Sequence, residues 1–128
     1  SIKKEPKLYL WDWSEIKSNE PARLENIVAS HLLKLCHFMN DTEGYKTELN
    51  FLRDIEGREV DFLVSESKKP WFAVEVKSSH KDVSKNLRYF GERLNIPFLY
   101  QVVFDNNIDF NVNNIRVISA DKFLKALI

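Results

Sequence analysis

Cysteine is nearly absent from this chain of 128 residues, and Cys36 stands alone. One thiol cannot close an internal disulfide or build a thiolate metal site by itself, which fits a reducing compartment and makes the cytoplasm the expected location. Net charge is absent too. Nineteen basic residues cancel nineteen acidic ones, so no global field favours nucleic acid, a membrane or an acidic partner, and any binding surface has to be local. No apolar run approaches the roughly 20 residues a spanning helix needs, and no signal-like segment opens the chain. No membrane partner is expected. Internal repeats and low-complexity tracts are missing as well. The chain opens on Ser1-Ile2-Lys3-Lys4 without Met, the start expected of a piece excised from a larger protein. His31, His37 and His80 have no metal-binding spacing with one another, and no histidine is placed to activate Ser78 or Ser79.

What is present suits one domain spanning residues 1–128. Hydrophobic residues make up 44% of the chain, enough to fill a single ordinary core. Leu8 to Trp13 reads as an aromatic strand. Pro21 suits the first turn of a helix, and Leu24, Ile27, Val28, Leu32, Leu35, Cys36 and Met39 recur at helical spacing, so a helix is expected from about Pro21 to Met39. Thr47 to Arg53 and Glu59 to Val64 read as strands joined by the tight connection Asp54-Ile55-Glu56-Gly57. Ser65 to Pro70 reads as a polar loop and Trp71 to Lys77 as a third strand. A helix is expected over Lys81 to Leu94, from Val83, Leu87, Phe90 and Leu94. Phe98 to Phe104 has the nearly continuous apolar character of a strand buried on both faces. Asp105 to Asn114 reads as a largely polar loop, Ile115 to Ile118 as a short strand, and Ser119 as the cap of a last helix carrying Phe123, Leu124 and Leu127. The fold expected is α/β, with a mixed sheet.

Charge sits where apolar strands should not carry it. By period-two alternation Asp61 points away from Val60, Phe62 and Val64, while Glu75 and Lys77 point together, opposite Val74 and Val76. Such residues are costly to bury unless paired, hydrated or bound to a metal. Crowded carboxylates repel, raising the proton affinity of the pair unless a cation neutralises them, and an all-oxygen pair suits Mg²⁺ better than zinc. Glu75 and Lys77 lie two strand rises apart, about 6.6 Å, close enough to meet one water or phosphate oxygen. Mg²⁺ keeps open positions for a phosphodiester, and Lys77 then has a role in aligning and deprotonating an attacking water or stabilising charge on phosphorus. Glu25 lies at the edge of the apolar face of the first helix, placed to look toward Asp61.

Together these residues resemble a family. Glu25 in a helix, then Gly57-Arg58-Glu59-Val60-Asp61-Phe62, then Glu75-Val76-Lys77, is similar to the Glu…Asp…Glu-X-Lys signature of the PD-(D/E)XK (restriction-endonuclease-like) nuclease superfamily. More narrowly, Lys7 to Asp12, Leu24 to Val28 and Arg53 to Phe62 resemble the uncharacterised C-terminal domain of bacterial and archaeal AAA-type ATPases, over roughly residues 7–104. The superfamily resemblance implies an αβββαβ core and DNA hydrolysis dependent on Mg²⁺ or Mn²⁺. It implies Glu25, Asp61 and Glu75 around the metal, with Lys77 at the scissile phosphate. The narrower resemblance implies an N-terminal P-loop ATPase, whose Gly-X-X-X-X-Gly-Lys-Ser/Thr motif does not occur in this chain.

Other residues join with competing structural roles. Lys81, Lys85 and Arg88 form a basic stripe suited to a phosphate backbone, although Asp82 and Glu92 dilute it. Gln101, on a strand beside the site, orients a water or Lys77, or else makes a structural hydrogen bond. Trp11, Trp13 and Trp71 are expected to fill core or cover an interface. A Glu-X-Lys pair also arises from a cross-strand ion pair. The alternative to a nuclease is a catalytically inactive domain of nuclease fold that serves protein interaction or regulation of the attached ATPase. A homo-oligomer or that ATPase would supply further DNA-binding surface.

Overall fold

Alternating apolar residues give Glu59–Glu66 and Lys69–Lys77 two buried faces each, and helices cover both sides of the sheet they build. The computed structural model describes residues 2–6 and 20–127, with the backbone alone for 2–6 and Glu20. In chain order the elements are β1 (Ile2–Pro6), α1 (Glu20–Glu43), β2 (Thr47–Asp54), β3 (Glu59–Glu66), β4 (Lys69–Lys77), α2 (Lys85–Arg93), β5 (Phe98–Val103), β6 (Asp109–Val112), β7 (Ile115–Ser119) and α3 (Ala120–Ala126). The strands form one mixed sheet in the order β1-β2-β3-β4-β5-β7-β6. β1 to β4 are antiparallel neighbours, β5 is parallel to both β4 and β7, and β6 returns antiparallel to β7. From α1 to β5 the succession is the expected αβββαβ.

Two apolar clusters hold the layers together. On one face Leu24, Val28, Ala29, Leu32 and Cys36 of α1 and Phe123 of α3 pack against Phe62, Val64, Phe72, Val74 and Val102. On the other, Leu87 and Phe90 of α2 pack against Leu52, Val60, Leu63, Ala73, Leu99, Val103 and Val117. Val60 and Phe62 therefore serve opposite faces, which strict alternation does not allow. The register shows why: Asn50 pairs with Leu63 and Leu52 with Val60, so β2 advances two residues while β3 advances three. β3 carries a bulge at Asp61-Phe62.

Several local expectations change. The segment from Ser65 to Pro70 is no loop, because β3 runs to Glu66 and β4 starts at Lys69. Ser67 and Lys68, with φ of 49° and 67°, make the two-residue left-handed turn that matches strand twist. Within the expected polar loop from Asp105 to Asn114, Asp109–Val112 forms β6 and turns back through Asn113 and Asn114, also at positive φ. The second helix starts at Lys85 rather than Lys81, since the Leu87 N–H donates to the Ser84 hydroxyl, which caps it. Ser119 occupies the cap position of α3 but makes no cap bond; its Oγ donates to the Asp105 carbonyl and accepts from the Ile108 N–H. The first helix runs beyond Met39 to Glu43, where the Asn40 amide exchanges hydrogen bonds of 3.0 and 2.7 Å with the Thr47 backbone. The expected strand from Leu8 to Trp13 lies outside the described residues.

Gly57-Arg58-Glu59 is committed to structure. Gly57 turns the β2–β3 hairpin at φ +86°, and Arg58 stacks on the Tyr89 ring of α2 with its Cζ 3.9 Å from the centroid. Arg58 also donates to the buried Asp54 carboxylate at 2.7 Å, and the Asn86 amide of α2 donates to the Glu59 carbonyl. Burial opposes the Asp54 charge, yet the Arg58 N–H and guanidinium hold its carboxyl below the usual range. Among the described residues no helix is long and apolar enough to cross a membrane.

Phe90 is fully buried and anchors α2 on the sheet. Phe90→Ala is expected to lower unfolding free energy by about 3–5 kcal/mol, measured by urea denaturation.

Candidate metal and phosphate site

Where β3 bulges, the β3–β4 ladder is completed by side chains. The Asp61 N–H donates to Glu75 Oε1 at 3.1 Å, and the Val76 N–H donates to Asp61 Oδ2 at 2.8 Å. Each carboxyl thus takes a backbone donor from the other's strand, which fixes the two groups side by side. Two carboxylates held this close repel unless a proton or a cation lies between them. Burial first, then the negative charge of Asp61, push the Glu75 carboxyl up from its ordinary 4.5 to about 9, against the opposing pull of Lys77. At neutral pH the cation-free pair therefore carries one proton.

Alternation sends Glu75 and Lys77 to the α2 face, opposite Val74 and Val76. There they line an open cleft of about 600 Å³ whose other wall is Lys81, Asp82, Val83, Ser84, Lys85 and Asn86. Three lysines and two acidic residues, Glu75 and Asp82, share that opening. Lys77 acts on Glu75, two residues back on the same strand, through its charge and without a close ion pair between the two. Arg88 is turned elsewhere. It pairs with Glu92 at 3.3 Å and borders a different hollow with Gly91, Asn95 and Asn113. The expected stripe of Lys81, Lys85 and Arg88 is therefore divided, because Lys81 precedes α2 and the helical spacing does not extend back to it.

Glu25 is half-buried on α1 between buried Leu24 and Asn26. Among the described residues no group of three or more His, Cys, Asp or Glu is gathered closely enough to hold a metal ion, so Glu25 is not joined to the Asp61–Glu75 pair. Two carboxyls still suit a hard cation that retains several waters, and the half-buried, proton-sharing pair is the kind of donor set a divalent ion would relax by displacing the proton.

Gln101 lies opposite Glu75 in the parallel β4–β5 register and is fully buried. Its amide does not reach toward Lys77. Nε2 donates to the Asp82 carbonyl at 2.8 Å and Oε1 accepts from the Ser84 N–H at 2.7 Å, so both ends hold the loop that walls the cleft. A second hold was not foreseen: the His80 N–H donates to Asp105 Oδ2 at 2.9 Å, and the His80 ring contacts the same oxygen. The His80 N–H and ring in turn keep the Asp105 carboxyl below the usual range. Trp71 is half-buried against Phe72 and lines an apolar cavity of about 360 Å³ with Phe98, Tyr100 and Phe123, in keeping with a packing role. Trp11 and Trp13 lie outside the described residues. Cys36 is buried, and burial pushes its thiol up to about 11, so it is no nucleophile.

A family model described as "Domain of unknown function (DUF4143)" matches residues 22–123. No curated protein and no solved structure matches the chain.

The Glu75 shift has a pH signature. A carboxyl that binds its proton more tightly folded than unfolded contributes stability that is full below about pH 4.5 and is lost as pH rises to about 9. Glu75→Gln should remove that slope and raise the melting temperature at pH 8 relative to wild type in chelator. An unchanged slope in thermal melts between pH 5 and 9 would contradict the shared proton.

Proposed function

Since the chain belongs to this family of domains of unknown function, whose description names no activity, we propose from the site itself a nuclease-like domain that binds Mg²⁺ or Mn²⁺ at Asp61 and Glu75 and cleaves DNA phosphodiesters. The observation that carries it is the Asp61–Glu75 pair, fixed by reciprocal backbone bonds at the edge of a cleft lined by Lys77, Lys81 and Lys85. The resemblance to the PD-(D/E)XK signature agrees with this assignment, and so does the αβββαβ succession that presents it.

Asp61 and Glu75 hold the cation, and their backbone partners keep them in place when the shared proton leaves. When bound, a divalent ion supplies Lewis acidity and lowers the pKa of a coordinated water. Lys77, two residues from Glu75 on the same face of β4, meets the phosphate oxygens and the attacking water. Lys81 and Lys85 take neighbouring phosphates. Glu25 would join the set only by its place in the resembled motif, since it is not gathered with the pair, and Arg88, which borders a different hollow, is left out of it. An attached N-terminal P-loop ATPase is the partner proposed, in the cytoplasm.

One observation favours a second reading. The Asp61 and Glu75 carboxyls already satisfy backbone donors, and no third acidic residue among those described closes a three-ligand group. A non-catalytic domain of this fold that regulates the ATPase would use the same pair only to complete the sheet.

Nicking of plasmid and branched DNA in Mg²⁺ or Mn²⁺ separates the two. Asp61→Asn keeps an acceptor for the Val76 N–H but loses the charge, and Lys77→Ala removes the ammonium. Each should reduce cleavage by about 100-fold or more with the circular dichroism spectrum unchanged. Full activity in either variant would remove the proposed site, and no cleavage by wild type with the ATPase restored would favour the second reading.

A further inference from the structure

Gln101 is an amide in a place where an apolar side chain would be expected. It is wholly buried on β5, between Tyr100 and Val102, and its strand neighbour on β4 is Glu75. A buried amide with no partners would be destabilising, and this one has both ends used. Its partners determine its orientation, since the Asp82 carbonyl needs a donor and the Ser84 N–H an acceptor. What it holds is the backbone of the segment between Lys77 and α2. That segment carries Lys81, ends in the Ser84 cap of α2, and delivers Lys85 as the first helical residue.

The segment has no regular structure of its own from Ser78 to Ser84, so its position over the cleft has to be imposed from outside. Gln101 imposes it on one side and the His80 contact with Asp105 on the other. Both come from β5 or the residues directly after it, on the side of the loop away from the β3 bulge. Gln101 thus links the strand beside the carboxyl pair to the wall that bears the lysines.

We propose that Gln101 is a positioning residue of this site, setting where the 78–84 loop stands and hence where Lys81 and Lys85 meet phosphates, while touching neither cation nor substrate. The role rests on the nuclease reading for its substrate, but the hold on the loop does not. Loss of Gln101 should loosen the lysine wall and leave the Asp61–Glu75 pair, which is fixed by β3 and β4, able to bind a cation.

The test compares wild type with Gln101→Met, which keeps the length of the side chain and removes both hydrogen bonds. Gln101→Glu, which keeps the acceptor for the Ser84 N–H, replaces it if the methionine variant does not fold. Hydrogen exchange of amides 78–84 is measured without DNA, Mn²⁺ affinity by calorimetry, and binding of a short DNA duplex at several salt concentrations. Exchange in the loop should accelerate about tenfold or more while β4 and β5 amides stay protected. Mn²⁺ affinity should stay within about twofold, and the salt dependence of duplex binding should fall by about one phosphate contact. If loop exchange and duplex binding match a wild type that binds DNA, the positioning role is overturned and the nuclease reading stands. If loop exchange rises but wild type binds no duplex at low salt, the nuclease reading fails and the positioning role for phosphate falls with it.

Discussion

The structure turns on two hydrogen bonds that a regular sheet would not contain, Asp61 N–H to Glu75 and Val76 N–H to Asp61. An extra residue in β3 breaks the alternation between Val60 and Leu63, and a broken ladder exposes backbone donors that have to be satisfied. Carboxyl oxygens from adjacent strands take them. The same exchange forces two acidic groups together in a half-buried setting, where they remain compatible only by sharing a proton or a cation. Closing the sheet and building a charged site are one event here.

Everything around the pair is arranged to hold the surroundings still. Arg58, stacked on Tyr89 and bonded to Asp54, locks the β2–β3 hairpin to α2. Asn86 adds a second contact to β3 through the Glu59 carbonyl. On the other side of α2, Gln101 and Asp105 hold the loop that precedes the helix. α2 is therefore fixed at both margins of the cleft, with Leu87 and Phe90 sunk into the apolar cluster beneath it. A site built on fixed strands and a tethered loop keeps its charges at constant separation, which selects for ligands of matching charge spacing.

Much of this was legible in the sequence, and the failures have physical causes. Helical spacing located α1, period-two alternation put Glu75 with Lys77 on one face, and the pairing of the two strands put Asp61 beside Glu75. The bulge was not legible, because one extra residue in β3 leaves composition unchanged and appears only when both strands are paired. Ser67-Lys68 lacks the glycine or asparagine that usually marks a two-residue turn, so the polar run looked like a loop. β6 was hidden by asparagines, although Ile108, Phe110 and Val112 alternate through them. Extending the second helix back to Lys81 produced a basic stripe that the Ser84 cap cuts short. For Gln101 the sequence leaves open a role in orienting a water or Lys77 and a structural hydrogen bond, because its partners depend on the path of a loop that no periodicity describes. Arg58, read only as part of a motif, proves to be a packing and hydrogen-bonding centre.

The central claim is that the Asp61–Glu75 pair exchanges a shared proton for a divalent cation. Calorimetric titration with Mn²⁺ at pH 7.5, repeated in two buffers of different ionisation enthalpy, counts the protons released for each ion bound. About one proton per ion, lost together with binding in Glu75→Gln, is the result expected. Binding with no proton released, or no binding heat in either buffer, would contradict it.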